Sequence, residues 1–263
     1  MDDPLVIAGK KFHSRLMVGT GRHRSMEEMV ASIEASGAQI VTVAIRRLDL
    51  DTPGEKSILD YFDGDKYTIL PNTAGSKTAD EAVVTAQLAR EVTGSDWIKL
   101  EVIPYAEYLL PDPVGTYEAA VRLIDDGFVV LPYIHADPVL AMKLEAVGCA
   151  TVMPLGSAIV SGQGVQTLDE INLIVRQSSV PVVVDAGLAV PSEAAAAMES
   201  GAEAVLVNSA IAQAEDPALM GEAFKHGVEA GRKAYLSGRI PVRQGAIASS
   251  PTTDVPQPAS VRS

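Results

Sequence analysis

The sequence is nearly free of cysteine: among 263 residues there is one, Cys149. A single cysteine excludes any disulfide framework or cysteine-rich zinc site within one chain, and it favours a reducing compartment. Histidine is also scarce, with four residues that do not show the spacing of metal ligands. We therefore expect no metal site based on these two residue types.

Long apolar runs and excess positive charge are missing as well. No hydrophobic stretch is long enough to cross a bilayer, and the first residues, MDDPLVIAGKKF, lack the hydrophobic region of a signal peptide. The formal net charge is −13, which argues against a broad nucleic-acid interface because phosphate backbones require a positive face. We expect a cytoplasmic protein with neither a membrane nor a nucleic acid as partner.

Short aliphatic runs alternating with helical patterns are what the sequence does contain. Eight runs predict strands, at 16–19, 40–44, 68–70, 96–103, 129–131, 151–153, 182–185 and 204–207. Each precedes a helical pattern, and this alternation predicts a parallel sheet covered by helices. We expect an α/β protein with a single (β/α)8 TIM-barrel domain over residues 1–240.

Two further expectations concern the edges of this assignment. A doubly wound open sheet is the competing architecture, but the segment 19–23 (GTGRH) after the first strand lacks the third glycine of a dinucleotide fingerprint. Residues 241–263 are rich in Pro, Ser, Thr, Gln and Ala, which predicts a flexible tail. The alternative is that the first tail residues become ordered over a neighbouring subunit.

The fourth strand carries an amine and a carboxylate on one face. Lys99 and Glu101 are two residues apart and so point the same way, whereas Ile98, Leu100 and Val102 point the other way. Desolvation inside a barrel favours a neutral lysine, which can attack a ketone and form a Schiff base. Glu101 would move protons, yet its charge also raises the lysine pKa. The alternative is a structural ion pair.

A second carboxylate and several glycine-rich loops follow the later strands. Asp185 ends the seventh strand, at the barrel rim where catalytic residues collect, and we consider acid/base work there against simple capping of the next turn. The loop that starts at Gly156 and the loops after strands seven and eight have exposed backbone N–H groups suited to a phosphate. Ordinary turn chemistry explains the glycines equally well.

Taken together, the motifs resemble the thiazole synthase (ThiG) family of thiamin biosynthesis from Leu5 to Arg239. The matching segments are VTVAIRR (41–47), LPNTAG (70–75), DWIKLEVI (96–103), LLPDPV (109–114), VLPY (130–133), VMPLGS (152–157), SGQG (161–164), VVVDAG (182–187) and AVLVNSAIA (204–212).

This resemblance implies a Schiff-base role for Lys99 and acid/base roles for Glu101 and Asp185. It also implies phosphate-side backbone contacts, which fall on Ala186, Gly187, Asn208 and Ser209. The implied substrates are 1-deoxy-D-xylulose 5-phosphate and dehydroglycine, and the implied sulfur donor is a carrier protein with a C-terminal thiocarboxylate. A homo-oligomer, as a dimer or tetramer, is implied, and no metal or organic cofactor. Arg46 and Arg47 are candidates for binding an anionic group.

The sequence departs from the family pattern beside the expected phosphate site. Val160 stands where the family usually has glycine, and Ala189–Val190 replace a common Gly–Thr pair. A valine is costly if position 160 requires a positive φ. Two other functions are considered. A Schiff-base aldolase or lyase acting on a sugar phosphate needs the same lysine, and Val160 suggests a non-catalytic sugar-phosphate binder. Complex formation with a sulfur carrier and trapping of Lys99 would distinguish them.

Overall fold

The computed structural model describes residues 3–47, 57–247 and 249 of the chain. The strands are β1 Leu5–Ile7, β2 Lys10–Phe12, β3 Leu16–Gly19, β4 Ile40–Ala44, β5 Thr68–Asn72, β6 Trp97–Leu100, β7 Val129–Ile134, β8 Met153–Pro154, β9 Val183–Asp185 and β10 Ala204–Val207. The helices are α1 Met26–Ser36, α2 Ala79–Thr93, α3 Pro113–Asp125, α4 Pro138–Ala146, α5 Leu168–Gln177, α6 Pro191–Glu199, α7 Ser209–Ala212 and α8 Pro217–Ser237.

Strands β3 to β10 form one parallel sheet that closes on itself. Their order is β8-β7-β6-β5-β4-β3-β10-β9, and parallel bridges Val152↔Val182 and Leu155↔Asp185 join the two ends. The predicted (β/α)8 barrel is thus confirmed, with all eight strands near their expected positions. The second unit differs from the others because its expected helical stretch is a 3₁₀ turn, Ile58–Tyr61.

The two-residue period of the strands divides their side chains between two cores. On β6, Ile98 and Leu100 face outward with Val102 and pack among the alanines of α2 and α3. Inside the barrel, a lower layer that includes Leu70, Leu131, Met153, Val183 and Leu206 is wholly apolar. The layer above it, two residues further along the strands, is where polar side chains enter.

A β-hairpin that the sequence analysis did not identify closes the N-terminal end of the barrel. Strands β1 and β2 pair in antiparallel fashion, and Leu5, Ile7 and Phe12 are buried in the lower layer. Ion pairs hold the start of the hairpin, since Asp3 contacts Arg15 at 3.0 Å and Arg232 at 2.8 Å. Because this hairpin closes the N-terminal end of the barrel, the opposite end is the open one.

Local capping explains where several helices begin. Residues Thr78 to Glu81 have the Thr-x-x-Glu pattern of a capping box, and Thr78 Oγ1 accepts a hydrogen bond from the Glu81 N–H at 3.2 Å, as this pattern predicts. The Glu81 carboxylate, however, accepts from the N–H of Lys77 at 2.7 Å and not from Thr78. Asp137 caps α4, whose first residue is Pro138.

The chain beyond α8 has no helix or strand in residues 238–247. The side chains of Ile240 and Val242 are 85% and 83% exposed. The domain boundary at 240 stays a prediction, and residue 248 and residues 250–263 of the expected tail lie outside the described part. None of the helices within the described ranges is long and apolar enough to cross a membrane.

Candidate active site

A buried lysine between two carboxylates forms the centre of the open end of the barrel. Lys99 Nζ lies 2.7 Å from Glu101 Oε1 and 2.7 Å from Asp185 Oδ2. The three residues are only 4%, 6% and 4% exposed, respectively. The contact with Glu101 is a hydrogen bond. The contact with Asp185 is close but poorly aligned, and Asp185 Oδ2 makes no hydrogen bond within the described residues.

The backbone around each residue explains why the three side chains meet. Lys99 lies in the register of β6 beside Asn72 of β5, and Glu101 follows directly after the strand. Thr73 Oγ1 donates to the Glu101 carbonyl at 2.8 Å and accepts from the Glu101 N–H at 2.8 Å. These bonds hold Glu101 in line with the strand although regular pairing has ended. Asp185 enters from β9, across the barrel.

Burial and charge act in opposite directions on the titrating groups. Burial lowers the pKa of Lys99, but the charges of Asp185 and Glu101 outweigh it, and the pKa lies above the ordinary lysine value. Burial raises the pKa of Asp185 above the usual range, although the Lys99 ammonium opposes this effect. The amine is therefore an ammonium, and a carboxylate whose affinity for protons is increased lies beside it.

Tyr133 forms part of the wall around Lys99, and the sequence analysis did not identify it as a site residue. Its ring centroid lies 5.2 Å from Lys99 Nζ, within cation–π distance, and the side chain is fully buried. Burial, together with the charges of Asp185 and Glu101, raises the pKa of the Tyr133 hydroxyl. The residue stands two positions after Leu131 of the lower layer, so its inward direction was readable from strand periodicity.

A cavity of about 340 Å³ opens above this cluster. Lys99, Glu101 and Asp185 line it, together with the predicted anion-binding residues Ala186, Gly187, Asn208 and Ser209. The structure therefore brings together seven of the eight residues selected from the sequence. The volume of the cavity lies at the lower end of the range for small-molecule sites.

The loops after β9 and β10 have the backbone geometry of an anion cradle. Ala186 and Gly187 both adopt positive φ, at 64° and 80°, which turns successive peptide groups toward the cavity. Ser209 starts the short helix α7, and the first N–H groups of a helix have no partner within it. With its amide nitrogen toward Gly19 and Gly21, Asn208 donates to their carbonyl oxygens at 3.2 and 2.8 Å.

Gly156 is the selected residue that the structure does not bring to the cavity wall. Its N–H donates to the Asp185 carbonyl at 2.9 Å, and its carbonyl accepts from the Gln166 N–H at 2.9 Å. A Cβ at Gly156 would lie 3.1 Å from the Ala186 carbonyl oxygen. The missing side chain of Gly156 allows β8 and β9 to approach each other. The Gly156 N–H could donate to a ligand only if its hydrogen bond to the Asp185 carbonyl were broken.

The two departures from the family pattern have different structural consequences. Val160 has φ 63°, so a β-branched residue occupies the left-handed region that favours glycine, and it lines the cavity. Val190 is the N-cap of α6 without a side-chain cap. There the Glu193 carboxylate accepts from the N–H groups of Ala189 and Val190, at 2.6 and 3.2 Å. Neither Ala189 nor Val190 lines the cavity.

Several cavity residues were not selected from the sequence. The segment Gly19–Arg22, considered only as a weak nucleotide fingerprint, lines the cavity beside Asn208, and Lys77 lines it from the loop after β5. Arg46 is exposed and does not itself line the cavity, but its guanidinium lies beside Gly75, which does. The side chain of Arg47 lies outside the described part. Across the described ranges, no group of three or more His, Cys, Asp or Glu residues has an arrangement that could hold a metal ion.

Comparison with known proteins gives consistent results. The sequence model of the family described as "Thiazole biosynthesis protein ThiG" matches residues 6–251. A thiazole synthase of Syntrophobacter fumaroxidans is 58% identical over 96% of this chain and 98% of its own length. A bifunctional protein ThiO/ThiG of Nostoc sp. strain PCC 7120 is 55% identical, and this chain spans 40% of its length.

Among solved structures, the Amycolatopsis orientalis BexX/CysO complex is 32% identical, with a TM-score of 0.82. The alignment covers 93% of this chain and 100% of that chain.

Proposed function

Because the chain belongs to the ThiG family of thiazole synthases, sulfur-transferring enzymes of thiamine biosynthesis, we propose which molecules it joins and how. Its substrates are 1-deoxy-D-xylulose 5-phosphate and dehydroglycine, and its sulfur comes from the C-terminal thiocarboxylate of a carrier protein. The product is thiazole phosphate carboxylate. The observation that carries this proposal is the buried Lys99 amine, held between two carboxylates at the floor of the cavity.

The first step is loss of a proton from Lys99. An ammonium has no lone pair, so Nζ must transfer a proton before it can attack the C2 ketone of the sugar. Asp185 Oδ2 is 2.7 Å away, and the raised pKa of this carboxyl group favours its taking the proton. The neutral amine then adds to C2. One proton from the amine and the proton held by Asp185 pass to the former ketone oxygen, which leaves as water and gives the protonated imine.

The two carboxylates then move the sugar's protons. Formation of the imine makes the C3 proton acidic, and removal of this proton followed by reprotonation gives the tautomer with a ketone at C3. Glu101 and Asp185 both lie within hydrogen-bonding distance of Nζ, so either reaches atoms one bond from the imine carbon. The thiocarboxylate sulfur adds to the C3 ketone, the C3 oxygen passes to the carrier's carbonyl carbon, and the carrier leaves as a carboxylate. Tautomerisation of the resulting thioketone restores the imine at C2. The sulfur then adds to the imine carbon of dehydroglycine, the dehydroglycine nitrogen attacks C2 and releases the Lys99 amine, and loss of water from C3–C4 completes the ring.

The cradle formed by Ala186, Gly187, Asn208 and Ser209 binds the phosphate in this proposal. Positive φ at two successive residues and the start of α7 supply N–H groups for the phosphate oxygens. Lys99 therefore meets the carbonyl end of the sugar while its phosphate lies toward β9 and β10. This orientation allows a short sugar phosphate to fill the cavity.

A partner protein delivers the sulfur. BexX, which shares this fold at 32% identity, forms the BexX/CysO complex of the solved structure, and this supports binding of a second protein by the present chain. We further propose that the enzyme is cytoplasmic and works as a homo-oligomer, either a dimer or a tetramer.

Reductive trapping tests the proposal directly. The enzyme is incubated with deoxyxylulose phosphate, reduced with borohydride, and analysed by peptide mass spectrometry. We expect one adduct, located on Lys99, and none in Lys99→Ala. Lys77, which lines the same cavity, is the internal control and should remain unmodified. An adduct on another lysine, or a bound sugar with Lys99 free, would contradict the mechanism.

A second measurement separates this function from the other Schiff-base chemistries. Thiocarboxylated carrier and dehydroglycine are added to the enzyme–sugar mixture, and products are followed by mass spectrometry. Ring formation supports the proposal. Cleavage of a carbon–carbon bond without transfer of sulfur would identify an aldolase or lyase instead.

A further inference from the structure

Two cations, Lys77 and Arg46, lie near Gly75 on the rim above β4 and β5. The proposed reaction uses neither of them, although the sequence makes Arg46 a candidate for binding an unspecified anionic group. Lys77 lies in the loop between β5 and α2, is exposed, and lines the cavity with Gly75. Arg46 follows β4, and a Cβ at Gly75 would lie 3.0 Å from its Nη1. One side of the cavity mouth therefore carries two positive charges around a residue without a side chain.

Within the described residues, no carboxylate neutralises these cations. No carboxylate in residues 3–47 or 57–247 forms an ion pair with Arg46 or Lys77, although such pairs form elsewhere, as between Arg24 and Glu28 at 2.8 Å. Glu81, four residues after Lys77, uses its carboxylate to accept from the backbone N–H of Lys77. In a chain with a net charge of −13, unpaired cations beside a cavity indicate an anionic ligand.

Lys77 lies across the barrel from β9, one of the two strands whose loops form the proposed phosphate cradle. Arg46, which follows β4, lies three strands from β9 and two from β10. In the closed strand order, β5 is four strands from β9, half of the eight-stranded ring, and it adjoins β6, which carries Lys99. The floor between the two sides has Glu101 and Asp185 against one ammonium, a net negative charge. A second anion is repelled from that floor and needs compensation at the rim.

The product chemistry supplies that second anion. In thiazole phosphate carboxylate the phosphate chain and the carboxylate lie on opposite sides of the ring, and the carboxylate comes from dehydroglycine. With the phosphate at the cradle and the ring above Lys99, the carboxylate faces the β4–β5 rim. We infer that Lys77 and Arg46 form a carboxylate-binding subsite for the glycine-derived imine. This inference rests on the proposed function.

The test compares variants of the subsite in two assays that use different substrates. Lys77→Gln and Arg46→Gln remove charge at similar length, Lys77→Arg restores it, and Lys66→Gln, an exposed lysine paired with Glu34 at 3.6 Å, is the control. The first assay is borohydride trapping against deoxyxylulose phosphate concentration. The second is ring formation against the concentration of the imine, prepared from glyoxylate and ammonium, with thiocarboxylated carrier.

We expect Lys77→Gln to raise the KM for the imine by about tenfold or more, as loss of a charge-assisted hydrogen bond does. Arg46→Gln should act in the same direction, and Lys77→Arg should recover most of the loss. Half-saturation of trapping by the sugar phosphate should stay within about twofold of wild type, because trapping involves no carboxylate. The Lys66→Gln control should match wild type in both assays.

Two results would overturn the subsite. One is an unchanged KM for the imine in both Lys77→Gln and Arg46→Gln. The other is an equal loss of affinity for the sugar phosphate in trapping, which would assign these cations to the phosphate. Failure of the underlying function is distinguishable, since wild-type enzyme would then give no Lys99 adduct or no ring. Circular dichroism verifies that each variant is folded.

Discussion

Replacing Lys99 with methionine tests the electrostatic account of the site without any substrate. Methionine keeps much of the length and volume of the lysine side chain but removes the ammonium. Glu101 and Asp185, each now 2.7 Å from Nζ and at most 6% exposed, would remain buried with no cation between them. We therefore expect a less stable protein, because two like charges would lie together away from water.

The size of the effect follows from the distances. A charge pair at 2.7 Å is worth about 6 kcal/mol at an effective dielectric constant of about 20. The desolvation of each ion offsets several kcal/mol of that. Removing one partner of a buried pair costs about 3–5 kcal/mol in comparable cases. In a domain of this length the melting temperature should fall by roughly 6–20 °C at neutral pH.

The sign of the pH dependence provides a sharper test. Burial already raises the pKa of Asp185, and the charge of Lys99 lowers it, so the variant raises it further. A carboxyl group with a raised pKa in the folded state destabilises the fold above its unfolded pKa of about 4. That penalty is lost as the pH falls through the folded pKa. In wild type the pKa of Lys99 is raised, so the contribution of Lys99 to the free energy of unfolding does not change with pH below the ordinary lysine pKa.

Urea unfolding, followed by circular dichroism at pH 8, 7, 6 and 5, measures how far the free energy of unfolding of the variant falls below that of wild type. We expect the deficit of Lys99→Met to shrink on acidification. The double variant Lys99→Met/Asp185→Asn should recover part of the loss at pH 8, since it removes one of the stranded charges. A deficit below about 1 kcal/mol at pH 8, or one that grows toward pH 5, would refute the reasoning.

Three further predictions concern other parts of the site. Glu101→Gln should keep the fold by circular dichroism but slow steady-state turnover about 100-fold or more; wild-type turnover would remove its proton-transfer role. Val160→Gly should raise the melting temperature by about 2 °C through relief of its left-handed backbone, and Ala8→Gly, at φ 47° without β-branching, should give a smaller gain. Gly187→Ala should cost roughly 2 kcal/mol in urea unfolding, since its Cβ would lie 2.8 Å from the Ser157 backbone nitrogen; equal stability would contradict that clash.

Strand β6 shows how far the sequence alone reached. The alternation of Ile98, Leu100 and Val102 with Lys99 and Glu101 predicted the outward and inward faces, and the structure has the three aliphatic residues in the outer core. Such a prediction is possible because a strand turns successive side chains to opposite faces. The sequence also indicated that burial and the Glu101 charge would shift the pKa of Lys99 in opposite directions, but it did not show which effect is larger.

Other features depended on contacts between distant segments. The hairpin β1–β2 pairs only with itself, and nothing in LVI or KKF shows that Phe12 will plug the barrel. The approach of Asp185 to Lys99 joins positions 86 residues apart in sequence. The positive φ of Val160 could not be predicted from the sequence either. A valine predicts an extended backbone at this point, yet hydrogen bonds of the loop, such as Ser161 N–H to the Ala158 carbonyl at 3.0 Å, hold it otherwise.

Local periodicity and chemistry therefore determined the eight strand–helix units, the inward direction of Lys99 and the set of residues with reactive groups. Closure of the barrel determined the geometry and electrostatics of the site. It set the distances among Lys99, Glu101 and Asp185, the charge state of the amine, and the separation of Lys77 from the loops after β9 and β10. The physical reason is that periodicity is a property of neighbouring residues, whereas electrostatic energy depends on distances through space and on the water excluded between charges.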